Sequence, residues 1–354
     1  MAQPCRSVTC FCLLLVCSIA PAAHSNECAD PPAEERVDAF CGIAGPEDIV
    51  LYADTTLIIS SMEPREHLYA FDLVSDALVP IETILAEPDA TRRWGADSCP
   101  LPTTLLSHGL DLSRRADGEW QLLVVNHGER ESIEYFSIEG AGGAMPRLRW
   151  RGCVMAPENT QFNDVAGLPD GGFIATDPVT ASWQTLRTLL GVLGMNTGRA
   201  YRWRPQGGYE AIPHTDGSYP NGILLAGDGN SFYLNLYFDG EVREHDLETG
   251  EVLRRVNIEA PDNSSLANDG RLLVASHHAS LSEMSDAIES AADVRNRIAY
   301  DIVAVDLDNF EASVLYASDG SDLGGGTVAQ QVNDDLYIGA FRGDRLIRVT
   351  GAAN

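Results

Sequence analysis

The sequence predicts an all-β fold, a six-bladed β-propeller with two helical insertions on its active-site face. Short runs of β-branched and aromatic residues, such as Trp120–Val125, recur along the chain. Turns built around an aspartate separate these runs at positions 41 to 65 residues apart, and the markers are Asp54, Asp117, Asp170, Asp228, Asp269 and Asp334. A strand repeat of about 40–50 residues is typical of propellers, so six markers predict six blades. A two-sheet sandwich is the all-β alternative, but it gives no reason for such a repeat.

The first 25 residues are predicted to be a signal peptide. Arg6 is the only charge in this segment, and the apolar run Val8–Ile19 has the length of a signal sequence. Small residues follow at Ala20, Ala22, Ala23 and Ser25. A retained anchor is the alternative, although a membrane-spanning helix needs about 20 apolar residues. We therefore expect a secreted or periplasmic protein in which residues 26–354 form one propeller domain.

The charge balance excludes two classes of partner. The chain has 24 basic residues, all arginine, against 52 acidic ones, and a net charge of −28. Nucleic-acid binding needs a clustered basic face, which this composition does not offer. An anionic membrane surface would repel the protein for the same reason, so membrane association is not expected. The apolar fraction of 44% is sufficient for a large core.

Four cysteines lie outside the predicted signal peptide, and they allow three disulfide connectivities. We favour Cys99–Cys153, because each of these residues falls close to a predicted inner element. Cys28–Cys41 then follows by elimination. Free buried thiols are the alternative for either pair.

Two stretches depart from the strand pattern and are predicted to be helical. In the first, from Ala181 to Met195, the apolar residues on one helical face are Trp183, Leu186, Leu189, Leu190 and Leu193. The second runs from Leu281 to Asn296, with Ser280 or Ser282 as its N-cap. Both follow the second strand of a blade, so both should leave from the same end of the propeller. Such helices usually cover core, and the one bearing Trp183 is also a candidate roof for a substrate pocket.

Oxygen-bearing side chains recur seven residues before four of the turn markers. These residues are Glu47, Asn163, Asn221 and Asp262, and the next positions hold Asp48, Asp164 and Asn263. The innermost strands of a propeller run along one channel, so these side chains should converge at one end of the axis. The acids among them would repel one another strongly without a cation. Oxygen donors without clustered cysteine or histidine indicate calcium, and the charges are sufficient for two ions. The alternative for any single position is an ordinary turn or cap residue.

Histidines supply a second set of candidate residues at the same end. His108 lies at the start of a predicted inner strand, and His127 lies at the end of the strand that follows it. The two should therefore be neighbours above the channel. His277 occupies the end-of-strand position in a later blade. A neutral imidazole is a suitable general base, and a paired histidine can hold the tautomer of its partner.

Together these motifs resemble the paraoxonase/arylesterase family of calcium-dependent lactonases, from about residue 41 to residue 348. The motifs are Glu47-Asp48, Ser107-His108-Gly109, Leu122–His127, Asn163-Asp164, Asn221-Gly222 and Asp262-Asn263. The resemblance implies a six-bladed propeller that holds two Ca²⁺ ions, one catalytic and one structural.

The resemblance also assigns roles to individual residues. It implies that the catalytic ion is held by Glu47, Asn163, Asn221, Asp262 and Asn263. It implies that the structural ion is held by Asp48, Asp164 and the carbonyl of Leu110. It makes His108 and His127 the catalytic pair, and it places Tyr219, Asp177 and His277 in the substrate pocket, to which the helical pattern adds Trp183.

The chain departs from the family pattern in two places. The family closes its ring with a disulfide between an N-terminal cysteine, matched by Cys41, and one near the C-terminus. This sequence has no cysteine after Cys153, so closure must come from strand pairing or from other bridges. The helical insertion after His277 is also unlike the best-known members.

The predicted function is calcium-dependent hydrolysis of lactones and aryl esters, with water attacking a calcium-polarised carbonyl. N-acyl-homoserine lactones are candidate substrates, because the helix bearing Trp183 would receive an acyl chain. The expected partner is thus a small molecule. A gluconolactonase-type sugar lactonase is the closest alternative, and it needs neither Asp48 and Asp164 nor the two histidines. The other alternative is a non-catalytic propeller that calcium stabilises and that binds a protein on its rim.

Overall fold

The computed structural model describes residues 34–63, 68–140, 145–179 and 184–353, together with Cys28, Asp30 and Pro32. This part of the chain contains 25 strands and two α-helices. In chain order the strands are β1 (Val37–Cys41), β2 (Ile49–Tyr52), β3 (Thr56–Ser60), β4 (Leu68–Asp72), β5 (Ala77–Pro80), β6 (Thr83–Ile84), β7 (Ser107–Arg114), β8 (Trp120–Asn126), β9 (Ser132–Glu139), β10 (Arg147–Met155), β11 (Val165–Gly167), β12 (Phe173–Asp177), β13 (Arg199–Arg204), β14 (Gly208–Ala211), β15 (Pro220–Leu225), β16 (Ser231–Leu236), β17 (Glu241–Asp246), β18 (Val252–Asn257), β19 (Pro261–Leu266), β20 (Leu272–His278), β21 (Ala299–Val305), β22 (Ala312–Ser318), β23 (Gly326–Val332), β24 (Asp335–Ala340) and β25 (Arg345–Val349). The helices are α1 (Gln184–Val192) and α2 (Leu281–Glu289).

The strands form six sheets, which are the six predicted blades. From the innermost strand outward the blades are β2-β3-β4-β5, β7-β8-β9-β10-β6, β11-β12-β13-β14, β15-β16-β17-β18, β19-β20-β21-β22 and β23-β24-β25-β1. The innermost strands contact one another in the order β2, β7, β11, β15, β19 and β23, and β23 contacts β2 again. These contacts close the sheets into a ring, so the six-bladed propeller is confirmed.

The aspartate turn markers lie where the repeat places them. Each falls in the turn between the innermost strand and the second strand of its blade, as Asp54 does between β2 and β3. The innermost strands therefore all begin at one end of the axis. The helices α1 and α2 join the second and third strands of the third and fifth blades, at that same end. Both helices end before the predicted residues, α1 at Val192 and α2 at Glu289, and α2 starts at a capping box between Ser280 and Glu283.

Strand pairing closes the ring. The N-terminal strand β1 pairs antiparallel with β25, with Asp38 opposite Arg348, and Arg348 donates to the Asp38 carboxylate at 2.7 Å. The chain ends are thus held in one blade without a disulfide between them. Two bridges are present, Cys28–Cys41 and Cys99–Cys153, which are the pairings favoured from the sequence.

The apolar core lies between neighbouring blades. Between the fifth and sixth blades, for example, Tyr300 and Ile302 belong to the same buried cluster as Ile338 and Ile347. Burying each such side chain stabilises the folded state by about 1.5–3 kcal/mol. At the end of the axis where the innermost strands begin, the buried residues are polar instead. No helix in the described residues is both long and apolar enough to cross a bilayer.

Candidate active site

The predicted oxygen donors come together at the start of the innermost strands. Each of them is less than a tenth exposed, and they are Glu47, Asp48, Leu110, Asn163, Asp164, Asn221, Asp262 and Asn263. Two hydrogen bonds join side chains from different blades. The Asn263 Nδ2 donates to Glu47 Oε1 at 2.7 Å, and the Asn221 Nδ2 donates to Asp262 Oδ1 at 2.7 Å. Residues from five blades are therefore brought to one buried polar centre.

Several oxygens of this centre have no donor in the described part of the protein. The buried atoms without a hydrogen-bond partner include Glu47 Oε2 and the Oδ1 atoms of Asn163, Asn221 and Asn263. Leaving a buried acceptor unpaired costs about 1–3 kcal/mol, so each of these four oxygens needs a donor or a cation. A cation that prefers oxygen ligands would be such a partner.

The chemistry of the donor set fits calcium better than a transition metal. It contains two carboxylates and three amides, all of them hard oxygen ligands. Among the described residues, no three Asp, Glu, His or Cys side chains form a metal-binding group by themselves. The set would hold a cation only because asparagine amides complete it.

The carboxylate oxygens of Asp48 and Asp164, in contrast, all accept hydrogen bonds from backbone N–H groups. The two Asp48 oxygens accept the N–H groups of Ile49 at 2.8 Å and of Leu110 at 2.6 Å. Those of Asp164 accept the N–H groups of Val165 at 2.7 Å and of Ile223 at 2.8 Å. Each carboxylate thus ties its own blade to the next one. No oxygen of this pair lacks a donor, so a second ion at Asp48, Asp164 and Leu110 stays a prediction.

Burial makes the acids at this centre difficult to ionise. Burial and the neighbouring charge of Glu47 raise the pKa of Asp48 and of Asp262 well above the ordinary value. Burial and the charge of Asp48 do the same for the pKa of Asp164. A bound cation would reverse this effect, because an opposite charge favours the ionised form.

The two predicted histidines lie directly beside this centre. Ser107 of β7 pairs with Asn126 of β8 at a register shift, and the rings of His108 and His127, the residues that follow these two, lie 5.1 Å apart, centroid to centroid. The His108 Nδ1 is 2.9 Å from His127 Nε2, and the His108 Nε2 is 3.5 Å from Glu47 Oε1. The outer nitrogen of His127, Nδ1, is 2.7 Å from Glu131 Oε2. Glu131 was not predicted from the sequence, because it reaches His127 through the loop between β8 and β9 and not through a regular spacing.

His277 and Tyr219 form another wall of the site. The His277 Nε2 donates to the Gly326 carbonyl at 2.9 Å, so its Nδ1 accepts from the Tyr237 hydroxyl at 3.0 Å. Burial lowers the pKa of His277 to about 4. The ring of Tyr219 lies 6.0 Å from that of Tyr237, centroid to centroid. Both ring nitrogens of His277 are engaged within the protein, and its role in a substrate pocket stays a prediction.

Asp177 lies at the end of β12 and lines a cavity of about 450 Å³ next to the insertion that carries α1. The cavity is also lined by Asn196, Thr197, Gly198, Arg199, Tyr201 and Asp216. Arg199 and Asp216 form an ion pair at 2.8 Å, so the described lining is polar. Leu189 of α1 is 55% exposed, and Leu193, just after this helix, is 70% exposed. Trp183 lies outside the described residues, so its place in the pocket stays a prediction.

Thr327 was not predicted from the sequence, and Gly109 was given there without a role. Seven residues before Asp334 is Thr327, whose hydroxyl donates to the Glu47 carbonyl at 2.6 Å. Gly109 allows β7 to approach the third blade, because a Cβ there would lie 2.5 Å from Asp164 Oδ1. Counting seven residues back from a turn marker identified Glu47, and the same count from the marker of the sixth blade gives Thr327.

Known proteins similar to this chain were found by fold and by family. A search of curated proteins finds no match. Solved structures similar to this chain include a protein described as a candidate gluconolactonase, with 15% identity, a TM-score of 0.51 and coverage of 90% of this chain and 93% of that one. Another is a gluconolactonase from Xanthomonas campestris, with 16% identity, a TM-score of 0.51 and 88% of each chain covered. The virginiamycin B lyase of Staphylococcus aureus has 10% identity, a TM-score of 0.50 and coverage of 89% and 98%.

Because these sequence identities are low, the similarity to the solved structures shows a shared fold only. The sequence model of one family, described as Arylesterase, matches residues 93–346. The match covers well over half of the chain and includes both histidines, Glu131 and all but two of the buried oxygen donors. This protein therefore belongs to the arylesterase family.

Proposed function

We propose that the protein is a calcium-dependent hydrolase of lactones and aryl esters. The observation that carries the proposal is the group of buried oxygens without donors, together with a histidine pair beside them. Glu47, Asn163, Asn221, Asp262 and Asn263 would hold the ion. Bound there, calcium would supply a Lewis acid that polarises the substrate carbonyl.

His108 is the base in this proposal. Its Nε2 faces the buried centre, while its Nδ1 is occupied by His127. A water molecule on the inner side of the ring would give its proton to Nε2 as it attacks the carbonyl. Asn163 is the candidate donor to the developing oxyanion, because the amide N–H₂ of Asn263 is already engaged by Glu47.

A second candidate substrate class is the polar, hydroxylated lactone. The described walls of the Asp177 cavity carry an arginine, two aspartates, an asparagine and a threonine. Such groups bind hydroxyls better than they bind an acyl chain. Hydrolysis of N-acyl-homoserine lactones would instead need the part of the α1 insertion that includes Trp183.

A metal analysis combined with a substrate panel tests the function. The panel contains a simple δ-lactone, a long-chain N-acyl-homoserine lactone, gluconolactone and phenyl acetate, each assayed with calcium and with chelator. We expect at least one lactone to be hydrolysed only with calcium. Asp262→Ala should lose this activity without rescue by added calcium, and His108→Gln should lose it while still binding the ion.

His278→Gln is the matched control, since His278 lies on the same face but pairs with Asp301 at 2.9 Å. It should behave as the wild type. Full activity after chelation would contradict the calcium proposal, and full activity of His108→Gln would contradict the base assignment. Tight calcium binding with no hydrolysis of any substrate would favour the non-catalytic propeller.

A further inference from the structure

We propose that Glu131 is a positioning residue that sets the tautomers of His127 and His108, an inference that rests on the proposed function. The three side chains form a line from the rim of the site to its centre. Glu131 Oε2 lies 2.7 Å from His127 Nδ1, and His127 Nε2 lies 2.9 Å from His108 Nδ1. The line ends at His108 Nε2, which is 3.5 Å from Glu47 Oε1.

The carboxylate of Glu131 fixes the direction of this line. An ionised carboxylate only accepts hydrogen bonds, so His127 must carry its hydrogen on Nδ1. The Nε2 of His127 then has a lone pair, and it accepts the hydrogen on His108 Nδ1. His108 is left with a lone pair on Nε2, directed at the buried centre. In this arrangement the nitrogen that faces the substrate is able to accept a proton.

A competing arrangement exists because a second carboxylate lies at the other end of the line. Glu47 would attract a hydrogen on His108 Nε2, and both rings would then reverse their tautomers. The base would present a hydrogen to the attacking water and would be inactive. Glu131 prevails because 2.7 Å is a hydrogen-bond distance, whereas Glu47 Oε1 is 3.5 Å from His108 Nε2 and already accepts a hydrogen bond from Asn263. Without Glu131, nothing in the described part of the site opposes the reversal.

Proton transfer gives Glu131 a second role. When His108 Nε2 accepts a proton from water, the hydrogen on its Nδ1 can pass to His127 Nε2. The positive charge then lies on His127, next to the Glu131 carboxylate. No atom is lost in this step, since one proton enters at Nε2 and another shifts from Nδ1. The pairing stabilises the imidazolium, as the carboxylate does in hydrolases with a His–Asp pair.

The loop that carries Glu131 is held in place from two sides. Arg130 forms a buried ion pair with Glu134 at 2.7 Å and also donates to the Pro100 carbonyl at 2.7 Å. On the other side, the Glu129 carboxylate accepts the Thr103 N–H at 2.8 Å and the Thr104 N–H at 2.9 Å. The contact between Glu131 and His127 is therefore built into the fold.

The test reads the tautomers directly, by ¹⁵N–¹H correlation of the histidine rings in calcium-loaded protein. A His127→Gln variant assigns the signals. We expect the Nδ1–H form of His127 in the wild type and the Nε2–H form in Glu131→Ala. Glu131→Gln keeps an acceptor oxygen but loses the charge, so it should keep the wild-type tautomer. On a lactone that the wild type hydrolyses, kcat should fall about 100-fold in the alanine variant and about 10-fold in the glutamine variant, with little change in KM.

Glu158→Gln is the control, because it removes an exposed carboxylate outside the loop that carries Glu131. It should keep both the tautomer and kcat. An Nδ1–H form of His127 in Glu131→Ala, or a wild-type kcat in that variant, would overturn the inference. A wild type that hydrolyses no substrate would refute the proposed function, whereas the ring signals would still decide the role of Glu131.

Discussion

Asparagine, not aspartate, occupies three of the five positions at the candidate calcium site. An amide both donates and accepts hydrogen bonds, so one asparagine can donate to a neighbouring carboxylate and keep its oxygen available for the ion. The Asn263 Nδ2 donates to Glu47 while its Oδ1 stays free for the ion, and Asn221 does the same beside Asp262. Five carboxylates would repel one another far more strongly than two can. The amides therefore supply ligands and at the same time hold the two acids.

Thr327 is predicted to support Glu47 from the sixth blade. Thr327→Val keeps the side-chain shape but removes the hydroxyl that donates to the Glu47 carbonyl at 2.6 Å. We expect the free energy of unfolding to fall by about 1 kcal/mol, and calcium affinity to fall as Glu47 becomes less fixed. Urea unfolding with and without calcium measures both effects. Thr327→Ser keeps the hydroxyl and should resemble the wild type; equal stability of the Val and Ser variants would contradict the prediction.

At the scale of elements, the carboxylate of Glu129 is one of the anchors of the loop between β8 and β9. Three hydrogen bonds reach Glu129, from the two N–H groups of Thr103 and Thr104 and from the Thr104 hydroxyl at 2.7 Å. They join this loop to the segment that leads into β7. Although slight burial opposes the effect, these bonds lower the pKa of Glu129 to about 2. The His108–His127 pair lies between the two segments that Glu129 joins.

The lowered pKa of Glu129 predicts a loss of stability in acid. A carboxyl with a lower pKa in the folded state stabilises the protein above its unfolded pKa, near 4.5, and this contribution disappears as pH falls toward about 2. Glu129→Gln should thus be about 1 kcal/mol less stable than the wild type at pH 7, a value reduced for solvent screening. The difference should shrink between pH 4.5 and pH 2. A difference that is constant with pH, measured by chemical unfolding, would contradict the prediction.

Elements set by local chemistry were predictable from the sequence, and those set by distant contacts were not. The turns at Asp54 and its equivalents follow from residues next to one another, so the blades could be counted. The second blade has a fifth strand because Thr83–Ile84 pairs parallel with β10, a contact between segments more than 60 residues apart. Glu131 reaches His127 only through the shape of one loop. No periodicity encodes either feature.

At the scale of the whole molecule, ring closure and the buried centre depend on each other. The pairing of β1 with β25 builds the segment that precedes the first blade into the sixth blade, and β2 contacts β23. Glu47 precedes the first blade, and it meets Asn263 of the fifth blade and Thr327 of the sixth. The site therefore exists only in the closed ring. A ligand that binds this centre stabilises the folded ring by about 2.7 kcal/mol at a hundred times its Kd.

The cost of the buried acids predicts that Asp262→Asn has opposite effects with and without calcium. Burial and Glu47 raise the pKa of Asp262, so its ionised form destabilises the calcium-free protein increasingly as pH rises above the unfolded value. The amide removes that cost and keeps an acceptor oxygen toward Asn221. In chelator at pH 8, we expect the variant to be about 1–2 kcal/mol more stable than the wild type, with a smaller difference at pH 5. In excess calcium the order should reverse, because the wild type binds the ion more tightly. Asp228→Asn makes the same change in an exposed turn, and it should leave the stability unchanged both in chelator and in calcium. Thermal unfolding measures these differences. An Asp262→Asn variant whose stability relative to the wild type is the same in chelator and in calcium would refute a cation at this centre.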